Sequence, residues 1–232
     1  MGQKPPLGTA SRIVVVDDHP LMRFALRQML GEQDDLKVVG EAADGQEAVE
    51  LCRRLNPHLV LMDVFMPRMD GLEATRQIKR EQPRTIVLVL TASDYPHDLS
   101  EALKAGAAGY VLKGAPTTDT LYAIRRVLAG DSSLDQDIST RLLRELVEEA
   151  PKERREVPSD DLLRGGLTRR EIEVLQLAAR GYTNLQIAST LLISVSTVKK
   201  HLRGVVSKLG VSDRTQAAVR AVELGVLAEG TA

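Results

Sequence analysis

Short apolar runs alternate with amphipathic stretches along the first half of the chain. The runs fall at 12–16, 37–40, 58–62, 85–90 and 108–112, and stretches of helical period lie near 19–31, 45–55, 71–80, 97–105 and 117–129. Ile86-Val87-Leu88-Val89-Leu90 is apolar at every position, not at every second one. A strand of that kind is buried on both faces. Five such strands alternating with five helices predict an α/β unit, a doubly wound five-stranded parallel sheet covered on both sides.

After Gly130 the texture changes. Leu142, Leu143, Leu146 and Val147 share one face of a helix predicted over 139–149. Pro151, the charged run Lys152 to Glu156, Pro158 and Gly165-Gly166 then predict an exposed tether. From Leu167 onward the pattern is helical throughout. Thr168 with Glu171, and Thr183 with Gln186, have capping-box spacing and open two helices ending near Arg180 and Leu191. A third helix begins near Ser194–Ser196 and ends at Gly210, and Ser212 is expected to cap a fourth that ends near Gly225. The chain therefore divides into an α/β domain at 11–130, a linker at 131–166 and an all-α four-helix domain at 167–228.

A length of 232 residues gives both domains room for a core. Cys52 is the single cysteine, which excludes an intramolecular disulfide and a multi-cysteine metal site and fits a reducing cytosol. No apolar run reaches the ~20 residues that span a bilayer, so no membrane partner is expected. Met1 to Ala10 lack the apolar core of a signal peptide and read as a disordered lead-in. The net charge of −1 hides a division: residues 160–232 carry ten Lys/Arg against seven Asp/Glu, and the remainder twenty-one against twenty-five. A mildly basic C-terminal part permits nucleic-acid binding without establishing it.

The candidate chemistry sits at strand ends. Asp17 and Asp18 end the first strand, Asp63 the third, Thr91 the fourth, and Lys113 follows the fifth. Open α/β sheets place their sites at that edge. Clustered carboxylates bind a divalent cation, and an all-oxygen set favours Mg²⁺. One carboxylate of such a set can act as a nucleophile toward a phosphoryl group, with the metal and a lysine balancing charge and a hydroxyl bonding a phosphoryl oxygen. Asp18 or His19 also offers a cap to the first helix.

Asp17-Asp18-His19-Pro20, Asp63-Val64-Phe65-Met66-Pro67-Arg68-Met69-Asp70-Gly71, Leu90-Thr91-Ala92-Ser93 and Gly109-Tyr110-Val111-Leu112-Lys113 resemble, in order and spacing, the receiver domain of bacterial response regulators, over about residues 11–130. The resemblance implies a flavodoxin-like fold with Asp63 as phosphoacceptor. It implies Mg²⁺ held by Asp17, Asp18, Asp63 and the backbone carbonyl of Phe65. Lys113 would bind the phosphoryl group, Thr91 would close on it, and Tyr110 would change rotamer on activation. Two positions depart from the pattern. Gly114 replaces the proline that often follows the lysine, so that bond is expected to be trans. Phe65 is bulky where polar residues are common, and is expected to hinder the attack of water on the phosphorylated form.

In the C-terminal part, the helix at 183–191, the turn at 192–194 and the next helix have helix-turn-helix anatomy. Lys199, Lys200 and Arg203, with Ser207 and Lys208 a turn later, form a basic face suited to the major groove. Ser196 and Thr197 at the helix start suit phosphates. Leu167 to Leu175, Gly181 to Ala188, Ser196 to His201 and Lys208 to Ala217 resemble the LuxR-type DNA-binding domain, and with the receiver the whole resembles the NarL/FixJ subfamily of two-component response regulators. That resemblance implies base contacts from Lys199, Lys200 and Arg203, and phosphate contacts from Thr168, Asn184, Ser196, Thr197, Lys208 and Arg214. It implies a dimer contact through the last helix, at Ala217, Ala218, Ala221 and Val222.

The expected function is a cytoplasmic transcriptional regulator switched by phosphorylation and otherwise not an enzyme. Its expected partners are double-stranded promoter DNA, a cognate histidine kinase and a second copy of the chain. One alternative is a DNA-binding regulator whose receiver only dimerises, independently of phosphate. Another is a free-standing Mg²⁺-dependent phosphotransferase or phosphatase, which would need a further acid/base group and a substrate-covering insertion that the short loop Met66–Met69 does not supply.

Overall fold

The computed structural model describes residues 10–92, 96–131 and 166–224. The helix expected at 139–149, most of the linker and Ser93 lie outside the described residues. The chain divides into two compact units, Met1–Ala129 and Gly130–Ala232.

In the first unit, strands β1 (Ser11–Val16), β2 (Leu36–Ala42), β3 (Leu59–Asp63), β4 (Ile86–Thr91) and β5 (Gly109–Leu112) alternate with helices α1 (Pro20–Gly31), α2 (Gly45–Leu55), α3 (Gly71–Glu81), α4 (Pro96–Ala105) and α5 (Thr117–Leu128). All the strand pairs are parallel and the order is β2-β1-β3-β4-β5. Alternate residues point to opposite faces of the sheet. Ile13, Val15, Leu59, Leu61, Leu88 and Leu90 therefore meet Leu26 and Leu30 of α1 and Ile124 and Val127 of α5. Val14, Val16, Val60, Met62, Val87 and Val89 meet Ala48 and Val49 of α2, Ala74 and Ile78 of α3, and Ala102 of α4. Two cores back to back explain why the runs Leu59–Met62 of β3 and Ile86–Leu90 of β4 are apolar at every position.

The chain reverses its winding direction after β2, so β1 and β3 are neighbours and their carboxyl ends open the crevice where such sheets bind ligands. Asp44 caps α2 by accepting the Glu47 N–H, and Asp70 caps α3 by accepting that of Glu73. Helix α1 starts from His19, whose side chain makes no capping bond, with Pro20 in the first turn. No cis peptide occurs among the described residues, so the Lys113–Gly114 bond is trans.

The second unit contains α6 (Arg169–Ala179), α7 (Asn184–Leu191), α8 (Val195–Leu209) and α9 (Arg214–Glu223). Both capping boxes form, Thr168 with Glu171 and Thr183 with Gln186. Ser194 caps α8 and Gly210 ends it in the left-handed conformation. The expected cap of α9 is corrected: Asp213, not Ser212, accepts the Gln216 N–H. Both residue types cap well, but the extended backbone that precedes the helix falls at Asp213 (φ −156°). Val174, Leu177, Ile187, Ala188, Val198 and Leu202 form the core joining α6, α7 and α8.

Candidate functional site

Parallel register brings the first site together. Val16 lies opposite Met62, and Asp63 opposite Leu90, so Asp17, Asp63 and Thr91 leave the sheet at one level. The Lys113 N–H donates to the Thr91 carbonyl at 2.8 Å, which sets Lys113 beside them. Its ammonium stands 2.8 Å from Asp17 Oδ2 and 2.8 Å from Asp63 Oδ2. Asp17 and Asp63 are buried, at 0% and 2% exposure. Thr91 is buried as well, and Tyr110 is half-buried against the core on the α2–α4 side.

Burial pushes the Asp63 carboxyl up. Lys113 opposes this, the charge of Asp17 reinforces it, and the Phe65 N–H, which donates to the carboxylate, opposes it again. Burial pulls Lys113 down, but its bonds to Asp17 and Asp63 more than reverse this, so it stays a cation. Ligand atoms of Asp17, Asp18, Asp63 and also His19 lie within 4.8 Å of one another. His19 was read from the sequence only as part of its motif and as a possible cap; its place beside two aspartates was the available signal. Asp18 Oδ1 is buried and accepts no hydrogen bond, although His19 Nδ1 stands 2.6 Å away, and the buried Asp17 Oδ2 meets only the Lys113 ammonium. Buried carboxylate oxygens short of donors are costly unless a cation meets them. Three carboxylates gathered at one strand edge, two of them with buried oxygens short of donors, fit a hard divalent cation such as Mg²⁺.

In the second unit the expected contact residues divide into two groups. Lys200 and Arg203 are exposed on α8 and make no ion pair among the described residues. The others already have partners. Asp131 accepts from Asn184 Nδ2 at 2.6 Å and Lys199 Nζ at 3.0 Å. Lys208 pairs with the buried carboxylate of Glu171 at 2.6 Å. Thr168 is tied into its capping box, and the Ser196 and Thr197 hydroxyls each lie 2.8 Å from Ser194 Oγ. Arg214 lies inside rather than on the surface: it is 6% exposed and its guanidinium donates to Asn184 Oδ1 at 2.7 Å and to the Tyr182 carbonyl. The α9 residues expected to meet a second copy (Ala217, Ala218, Ala221 and Val222) are buried within the chain.

The strand-edge cluster and the helix-turn-helix each have a counterpart among known proteins. Residues 13–125 match the response regulator receiver domain, and residues 166–221 match the luxR family of bacterial regulatory proteins. The chain belongs to the response regulators that join a receiver to a LuxR-type DNA-binding domain. It is 40% identical over 210 residues to the transcriptional regulatory protein LiaR of Bacillus subtilis, which spans 90% of this chain and 96% of LiaR. It is 39% identical over 212 residues to the response regulator protein VraR of Staphylococcus aureus, which spans 91% and 96%. Of the solved structures, a LuxR-family two-component response regulator of Aurantimonas superposes with a TM-score of 0.55 at 35% identity, over 60% of this chain and 99% of its own. The RcsB response regulator in complex with DNA superposes at 0.53 and 28%, over 92% and 100%. No helix among the described residues is long and apolar enough to cross a membrane.

Proposed function

We propose that this chain is a cytoplasmic transcriptional regulator of a two-component system, switched by phosphorylation of Asp63. Lys113 bridging the buried carboxylates of Asp17 and Asp63 carries the reading, because that is the charge arrangement a transferred phosphoryl group needs. An Asp63 carboxylate oxygen attacks phosphorus, and the bond to the donor breaks as the leaving group takes the electron pair. Lys113 then exchanges its carboxylate partners for phosphoryl oxygens, and the Thr91 hydroxyl donates to another. Mg²⁺, held by Asp17, Asp18, Asp63 and the Phe65 carbonyl, would supply the remaining positive charge. The donor is the phosphohistidine of a partner kinase or a small acyl phosphate.

Phosphorylation adds about 1.5–2 negative charges at Asp63. Thr91 and Tyr110 respond to that charge and bias the receiver toward a form that favours a homodimer on DNA. Lys199, Lys200 and Arg203 meet base edges, and Thr168, Asn184, Ser196, Thr197 and Lys208 meet phosphates. Arg214 acts by fixing Asn184. The capture of DNA by RcsB, at 28% identity, supports this output.

The test is operator selection and footprinting with the full chain, with and without acetyl phosphate and Mg²⁺. The expected result is phosphoryl mass on Asp63 and a gain in operator affinity of roughly tenfold, both absent in Asp63→Ala. A wild-type chain and an Asp63→Ala variant with the same operator affinity under acetyl phosphate would establish the alternative of a phosphate-independent dimerisation module.

A further inference from the structure

The loop between β3 and α3, residues 64–70, carries the carbonyl of Phe65 and has no regular structure of its own, yet it is tethered along its length. The Gly71 N–H donates to the Val64 carbonyl at 2.9 Å, and the Met69 N–H to that of Pro67 at 2.8 Å. The Met69 carbonyl accepts from the Gly45 N–H, in the first turn of α2, at 3.1 Å. Both glycines mark close approaches. A Cβ at Gly71 would collide with the Asp63 carbonyl oxygen, and one at Gly45 would lie 2.7 Å from that of Met69.

Between these tethers Arg68 holds φ +68°, a left-handed conformation that a Cβ disfavours. A glycine would adopt it without strain. The arginine brings something a glycine lacks: its guanidinium pairs with Asp44, whose side chain is 2% exposed. The same carboxylate accepts the Glu47 N–H at 2.9 Å as the cap of α2. A buried carboxylate makes a firmer anchor than a surface one, because unpaired it would be left short of positive charge.

We propose that Arg68 and Asp44 are a positioning pair for the divalent cation. They act through the loop by fixing where the Phe65 carbonyl stands relative to Asp17, Asp18 and Asp63. The inference rests on the reading of those carboxylates as a metal site. It goes further in assigning a role in metal affinity to two residues that offer the ion no ligand atom. Partners that orient ligands in this indirect way change metal affinity by roughly ten- to a hundredfold when removed.

The test uses the full-length chain and Mn²⁺, followed by the loss of the free-ion paramagnetic signal. Arg68→Gly removes the tether and the left-handed strain but leaves the buried Asp44 carboxylate without its partner, so its melting temperature should fall modestly while Mn²⁺ affinity falls roughly tenfold. Asp44→Asn keeps a cap for α2 and should lose the same affinity. The double variant should lose no more than either single one, because one pair is broken in all three. Arg68→Lys, which keeps the charge, should recover part of the loss. Amide exchange across 64–71 should quicken in Arg68→Gly without any metal present. Wild-type Mn²⁺ affinity in Arg68→Gly, or additive losses in the double variant, would overturn the pairing. A wild-type chain that binds no Mn²⁺ would instead overturn the metal-site reading, and the positioning role with it.

Discussion

Two exposed side chains at strained or crowded places decide more than their burial suggests. Leu192 is 91% exposed and sits at φ +54°, ending α7 in the turn of the helix-turn-helix. A left-handed residue with a Cβ costs about 1–2 kcal/mol, and so exposed a side chain returns little by packing. Glycine removes that strain but adds unfolded-chain entropy of about 0.5–1 kcal/mol. Leu192→Gly should therefore stabilise the C-terminal unit by about 0.5–1 kcal/mol, read as a raised midpoint in thermal unfolding. Phe65 is 65% exposed two residues beyond Asp63, and its N–H donates to that carboxylate. A ring there hinders water more than a polar side chain, which can orient it. Phe65→Asn should shorten the lifetime of the phosphorylated chain severalfold in a decay assay; an unchanged or longer lifetime would sink the idea. At this scale the sequence made Asp17, Asp18, Asp63, Thr91 and Lys113 legible, since each ends an apolar run on a parallel sheet. It left the left-handed Arg68 and the burial of Arg214 unread, because both depend on partners distant in sequence, Asp44 and Tyr182.

Elements are held at particular spacings by single contacts, and α6 against α8 is the clearest case. Glu171 closes the capping box of α6, with Oε2 accepting from Thr168 N, Thr168 Oγ1 and Lys208 Nζ at 2.7, 2.8 and 2.6 Å. A Cβ at Gly204, on α8, would collide with the other oxygen, Oε1. Gly204→Ala gains about 1 kcal/mol of helix propensity. It displaces a carboxylate whose cap is worth about 1 kcal/mol and whose charged bonds are worth about 1.5–3 kcal/mol. The expected result is a net loss of about 1.5–3 kcal/mol in wild type and a gain of up to about 1 kcal/mol in Glu171→Ala, measured as a double-mutant cycle in denaturant. Acid should expose the same contact. Burial raises the Glu171 carboxyl, but Lys208 and then the Thr168 bonds hold it below its ordinary value. Its contribution is then complete above the unfolded-state value of about 4.3 and is lost as pH falls through the lower folded value. Acid unfolding of Glu171→Ala should accordingly be less steep than that of wild type. The capping box was legible from Thr168 and Glu171 three apart. Gly204 was not, because a glycine within a helix announces no particular neighbour.

For the molecule as a whole, the change of composition near Gly130 marks the division into two units, while the partner of the basic face lies far from it in sequence. Asp131 bonds Asn184, 53 residues away, and Lys199, 68 residues away. No local spacing could have revealed either contact. A phosphate or base edge that takes Lys199 must displace this carboxylate, and Asn184 must give it up as well. The pair with Lys199 is partly exposed, at 36% and 21%, and such pairs are worth at most about 1 kcal/mol. The Asn184 bond to a charged acceptor adds about 1.5 kcal/mol at most on the same footing. About 1.4 kcal/mol is tenfold in affinity, so Asp131→Ala should tighten operator binding by roughly five- to tenfold. The gain should be larger at low salt, where the removed negative charge is screened least from DNA phosphates. Asp131→Asn keeps a group that can still bond Asn184 and should gain less. Titration of labelled operator at two salt concentrations measures both variants. The control is Lys199→Ala, in which a further Asp131→Ala change should bring only the Asn184-dependent part of the gain. A full gain in that background would mean that Asp131 opposes DNA through its charge alone and not by occupying Lys199.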